Sequence, residues 1–101
     1  GERTPNLPDA TASLEGMTLA NSDRQHVARA TVDGLLDLMR FALDAVRALG
    51  VPVRRVLLVG GGAKSTAVRA LAPHALGAAV EVPEPGEYVA LGVAKQAARL
   101  R

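Results

Sequence analysis

Val56-Leu57-Leu58-Val59-Gly60-Gly61-Gly62-Ala63-Lys64-Ser65 is the stretch on which the fold turns. A short, unbroken apolar run rich in branched residues marks a strand buried on both faces of a parallel sheet. Here it predicts a strand over residues 54–59. Three glycines follow, then helix-forming sequence over residues 65–76. Gly77 is a stop signal, and Pro73 predicts a break or kink late in that helix.

Working towards the C-terminus, residues 78–82 read as a second buried strand, closed by Pro83-Glu84-Pro85-Gly86. Residues 87–100 are helical, with Val89, Val93, Ala97 and Leu100 on one side. Working towards the N-terminus, Gly50 and Pro52 end a long helix that opens at Ser22. Ser22 and Gln25 have capping-box spacing, and Asp23 suits the positive helix end. Ala28, Val32, Leu35, Met39, Ala42, Val46 and Leu49 form an apolar stripe at three- and four-residue steps. Asp33, Asp37 and Asp44 recur beside Arg40 and Arg47 on another face. Those aspartates read better as a solvated face with Asp37–Arg40 and Asp44–Arg47 pairs than as an acidic site.

The first 21 residues carry Pro5, Pro8 and Gly16 without a helical period. Residues 4–9 read as an extended loop, and residues 13–20 as a short strand around Leu14, Met17 and Leu19. The whole is an α/β chain of order β-α-β-α-β-α with parallel strands, containing one βαβ crossover.

Composition bounds the function. At 101 residues the chain is one domain at most, and 49% apolar content excludes disorder. A net charge of +2, scattered arginines, one Phe, one Tyr and no Trp argue against a nucleic-acid partner. The lack of cysteine removes disulfides, thiolate metal sites and a cysteine nucleophile. No apolar stretch is long enough to span a bilayer and no signal peptide opens the chain, so no membrane partner and a cytoplasmic location are expected. The opening residues lack a methionine, which suggests a chain cut from something longer.

The glycine turn is where chemistry is expected. Glycine adopts backbone angles that a Cβ forbids and lets a ligand approach the main chain. The helix behind it offers unpaired N–H groups and its positive dipole end, which suit phosphate. In parallel α/β sheets ligands gather at the carboxyl ends of strands. Two specific motifs fail. A P-loop requires glycine where Ala63 precedes Lys64-Ser65, and a dinucleotide fingerprint beginning at Gly60 has Ser65 in place of its third glycine. From spacing alone, nucleotide binding and a ligand-free strand–helix turn stay equally open. Elsewhere, His26 and His74 are solitary, so no metal site is expected. Ser65 reads as a helix cap without a base partner. Lys64 is placed either to reach a phosphate or to face solvent, and nothing orients Glu2 or Asp9 as a base.

Several stretches together resemble one family. Gly1-Glu2-Arg3-Thr4-Pro5 and Leu14-Glu15-Gly16-Met17-Thr18-Leu19 resemble the start of the C-terminal region in FGGY-family carbohydrate kinases. Ala28-Arg29-Ala30-Thr31-Val32-Asp33-Gly34 is similar to that family's RA-x-x-EG helix, with Asp33 for glutamate. Residues 59–65 are similar to its adenosine-binding signature, and Tyr88-Val89-Ala90-Leu91-Gly92-Val93-Ala94 to its late A-x-x-LG-x-A helix. The four occur in order over essentially the whole chain, and the likeness runs strongest to the branch acting on the pentulose xylulose.

The resemblance implies a partial actin-like ATPase (ribonuclease H-like) domain, with residues 1–101 a C-terminal kinase segment. Residues 1–21 would be its leading loop and short strand, and residues 22–101 its nucleotide-binding part. The family transfers the γ-phosphoryl group of ATP, with magnesium, to a sugar hydroxyl. By resemblance Gly61, Gly62 and Ala63 lie against the nucleotide, Lys64 and Ser65 border the base, and Thr66 contacts adenine. The catalytic aspartate, the first phosphate-binding hairpin and the sugar contacts would belong to a preceding N-terminal domain. The chain would then have no catalytic residue of its own and would be inactive without that partner. A different class of function stays open: a non-catalytic α/β module that associates with itself, as a homodimer, or with a separate N-terminal half.

Overall fold

The computed structural model describes residues 1–3 and 5–100. Thr4 and Arg101 lie outside the described residues, so the loop expected over residues 4–9 is described from Pro5 onward. The chain divides into two compact units, Gly1–Thr31 and Val32–Arg101. One long helix, α1 (Arg24–Ala48), contributes to both.

In the first unit the chain turns back on itself instead of running extended. Glu2 N–H donates to Leu7 O at 2.7 Å and Leu7 N–H to Glu2 O at 2.8 Å. Pro5 and Asn6, between them, are residue types that favour a tight turn. The short strand expected over residues 13–20 is absent, and the stretch is irregular. Gly16, with φ 71°, interrupts any extended run, and the Asn21 side chain holds the local turn. Its Oδ1 accepts from Thr18 N–H at 2.6 Å, and its Nδ2 donates to Gly16 O at 3.1 Å. The β-α-β-α-β-α order therefore loses its first strand. At the start of α1 the cap is Asp23, not Ser22. Asp23 Oδ1 accepts from the N–H groups of Gln25 and His26 at 2.9 and 3.0 Å, as an N-cap carboxylate does.

In the second unit, β1 (Arg55–Leu57) is followed by a single 3-10 turn (Gly61–Lys64), α2 (Thr66–Leu76), β2 (Ala79–Glu81) and α3 (Tyr88–Arg99). β1 and β2 pair in parallel with Val56 opposite Val80, and the pairing continues as Leu58 N–H donates to Glu81 O at 2.9 Å. The expected βαβ unit is present, with strands shorter than their apolar runs. α2 runs through Pro73 without interruption. Proline there forgoes its own bond to the previous turn, and the helix ends three residues later. Gly77 closes it in the left-handed conformation (φ 59°), donating to Pro73 O at 3.1 Å.

The core gathers Leu36 of α1, Leu58 after β1, Ala63 of the turn, and Val68, Ala72 and Leu76 of α2. Val32, Met39 and Leu43 pack against it. The buried face of α1 is thus Val32, Leu36, Met39 and Leu43, rotated from the expected stripe. Leu35, Val46 and Leu49 of that stripe are exposed. α1 carries apolar residues on several faces, so packing decides which face is buried, and periodicity alone cannot. The strand is also covered on one side only. Val56 and Leu58 turn inward, whereas Leu57 and Val59 are exposed, because no second layer among the described residues lies over them. α3 buries none of its residues, and its Val89 and Val93, with Leu100 at its C-terminal cap, are uncovered.

Candidate functional site

β1 and β2 are parallel neighbours, so the segments leaving their carboxyl ends emerge side by side. After β1 the chain turns at Gly60, whose φ of 93° and ψ of −176° lie in a region essentially closed to residues with a Cβ. The 3-10 turn follows, with Ala63 N–H donating to Gly60 O at 3.2 Å and Ser65 N–H to Gly62 O at 3.1 Å. Burial of the Ala63 methyl anchors this turn on the core. Arg69, one turn into α2, locks it further by donating from Nε to the Ala63 carbonyl.

Gly61 and Gly62 are glycines for no reason internal to the chain. Neither has a positive φ, and a Cβ built on either would meet nothing within 4 Å. Their N–H groups make no hydrogen bond among the described residues. The turn thus has exposed glycines whose N–H groups are unpaired, a surface that suits close approach of a polar ligand.

Residues 82–88, leaving β2, form the second side of a cleft of about 360 Å³. That volume lies in the range of small-molecule sites, roughly 300–1,000 Å³. Gly60, Gly61, Ala63 and Lys64 line the first side, with Arg69 beside them. Of the residues singled out from sequence, Gly61, Ala63 and Lys64 line the cleft, and Gly62, Ser65 and Thr66 do not. Ser65 is the cap of α2, its Oγ accepting from Val68 N–H at 3.4 Å. Thr66 is the first residue of that helix and is exposed. Sequence reasoning missed Arg69 and the whole second side. The available signal was the pair of parallel strands, whose following segments had to meet at one end.

Among the described residues no group of three or more His, Cys, Asp or Glu is placed to hold a metal. Asp37 and Asp44 pair with Arg40 and Arg47 at 3.1 and 2.8 Å, so these two belong to a solvated helix face as expected. No helix among the described residues is long and apolar enough to cross a membrane.

The model of the FGGY family of carbohydrate kinases, C-terminal domain, matches residues 1–100. The chain belongs to this family. A xylulose kinase from Streptomyces rubiginosus is 42% identical over 101 residues, covering 99% of this chain and 21% of that protein. One from Haemophilus influenzae is 35% identical over 97 residues, covering 96% of this chain and 20% of its own length. The crystal structure of xylulose kinase from Bifidobacterium adolescentis superposes with a TM-score of 0.78 and 57% identity, over 97% of this chain and 19% of that one. This FGGY chain is therefore a mixed α/β unit with parallel strands like that structure. It spans about a fifth of the length of the relatives it matches.

Proposed function

We propose that this FGGY chain is the ATP-binding part of a sugar kinase that phosphorylates a pentulose such as xylulose, within an actin-like ATPase fold. The observation that carries the reading is the cleft at the carboxyl ends of both strands, walled on one side by the bare turn at Gly61. Its exposed backbone donors suit the phosphates of a nucleotide, and Lys64, which also lines the cleft, would border the base. Gly62 lies within the turn, and Ser65 and Thr66 follow it at the start of α2. Among the described residues no acidic cluster is placed to hold magnesium, which would arrive on the nucleotide phosphates.

Phosphoryl transfer requires both substrates to be positioned and the charge between them to be stabilised. With about a fifth of its relatives' length, this chain offers one wall of such a site. The sugar contacts and the base that accepts the hydroxyl proton would come from a preceding domain, and the chain alone would have no sugar kinase activity.

Calorimetric titration with magnesium–ATP, with Gly61→Val and Gly62→Val as controls, tests this reading. A Cβ at either position meets nothing in the chain, so both variants should fold. ATP binding that is weakened by either valine is the expected result. A folded chain that does not bind, or that binds equally well in both variants, would remove the nucleotide reading. The uncovered α3 favours a second reading, a module that works by association. Dimerisation indifferent to ATP and to both valines would support it.

A further inference from the structure

Gly60, Gly61 and Gly62 stand in succession, and no other residue type loses as much backbone freedom on being ordered. A ligand that meets such a turn must order it, unless contacts within the chain have done so already. Two contacts tie down its far end. One is the buried methyl of Ala63, and the other is the hydrogen bond from Arg69 Nε to the Ala63 carbonyl.

The backbone offers no substitute for that hydrogen bond. Among the described residues no backbone N–H donates to the Ala63 carbonyl, so Arg69 is its donor. Arg69 has no carboxylate partner among the described residues either. Its position does not serve α2 itself. It is the fourth residue of that helix, near the positive end of the dipole, where a cation is disfavoured. What the side chain does is hold the turn.

We propose that Arg69 is a positioning residue. Its Nε–H fixes the glycine turn in the form whose Gly61 and Gly62 N–H groups stay open to a ligand. Nucleotide affinity then depends on Arg69 through this hydrogen bond and not through its charge. The inference rests on the nucleotide reading above and holds whichever part of the nucleotide lies nearest to Arg69.

Three substitutions separate the hydrogen bond from the charge. Arg69→Gln drops the charge and keeps a donor, because glutamine Nε2 stands as many bonds from Cα as arginine Nε. Arg69→Lys keeps the charge but puts a methylene where Nε stood. Arg69→Met has similar reach and neither property.

Each folded chain would be measured in two ways. Hydrogen exchange would be followed at the Ala63 and Ser65 amides, which close the turn on the Gly60 and Gly62 carbonyls. Magnesium–ATP affinity would be measured by calorimetry. Arg69→Met and Arg69→Lys should speed exchange at both amides and weaken ATP binding, each about tenfold. Arg69→Gln should stay within about threefold of the unaltered chain in both measurements. ATP affinity kept by lysine and lost by glutamine would mean that the charge acts on the ligand. Faster exchange with ATP affinity unchanged in all three variants would mean that Arg69 serves the fold alone. Either result would overturn the inference and leave the nucleotide reading standing. Failure of the folded, unaltered chain to bind ATP would overturn both.

Discussion

Arg47, in the last turn of α1, donates from Nη2 to the carbonyl of Leu76, the last residue of α2, at 2.8 Å. Its other terminal nitrogen, Nη1, donates to Asp44 Oδ1 at 2.8 Å. One planar guanidinium thus joins the ends of two helices and supplies a donor where α2 has an unpaired carbonyl. Arg47→Ala should destabilise the chain by about 1.5–3 kcal/mol, the range for a hydrogen bond from a charged donor. Arg40→Ala removes only an exposed pair with Asp37 and should cost less than about 0.5 kcal/mol. Urea denaturation of the two variants, side by side, checks the contrast.

The core that this clamp closes is small. Leu36 and Leu76 are its largest fully buried side chains, at 0% and 1% exposure. Leu36→Ala should cost about 2–5 kcal/mol, a large share of the stability of a chain this size. Leu35→Ala, at the adjacent and exposed position, should cost far less. Thermal melts of the pair would show whether α1 packs through the face described.

The glycine turn predicts a division between stability and binding. Gly60→Ala puts a Cβ at φ 93° and should destabilise by about 1–3 kcal/mol. Gly61→Ala, at a cleft-lining position, meets open space and has no positive φ, so unfolding should be nearly unchanged while ATP affinity falls. Denaturation and calorimetry on both variants separate the two effects. Equal destabilisation would mean that Gly61 is also required by the fold.

Asp23 caps α1, and the His26 backbone N–H, then the His26 ring, hold its carboxyl below its ordinary value of 3.8. A carboxylate depressed in the folded state contributes stability that is present above its unfolded value. That contribution is lost as pH falls through the lower folded value. The first turn of α1 should therefore loosen on acidification below about pH 4. Asp23→Asn should cap without this pH dependence, since an amide oxygen can also accept. NMR shifts of the Gln25 and His26 amides across an acid titration would follow it.

How far these features were legible in the sequence depended on whether their cause was local. The β1–turn–α2–β2 unit could be read because branched residues, glycines and helix formers follow one another within 30 residues. The left-handed close of α2 at Gly77 and the pairs of Asp37 and Asp44 are equally local. The buried face of α1 was not legible, because Leu35 and Leu36 are equally apolar and only the packed neighbours choose between them. The cap at Asp23 was missed in favour of Ser22, one residue away, because a motif spacing does not fix where helical geometry begins. Half of the candidate cleft was hidden for a third reason. Residues 82–88 carry no ligand motif and reach the glycine turn only because β2 lies beside β1.

The last helix makes the least expected demand of the chain. Val89 and Val93 recur on one side of α3, with Leu100 at its cap, yet their exposures are 78%, 61% and 90%. An apolar stripe that buries nothing adds little to folding and is free to seek another surface. Val93→Ser should therefore change the unfolding free energy of this chain by less than about 0.5 kcal/mol. The same substitution should reduce any concentration-dependent association, measured by sedimentation velocity across a hundredfold range of concentration. A loss of more than about 1.5 kcal/mol would show instead that α3 packs on the core in solution. Unchanged stability together with unchanged association would mean that the stripe serves neither purpose in the chain by itself. Its apolar pattern would then have to be satisfied by a surface that this chain does not contain.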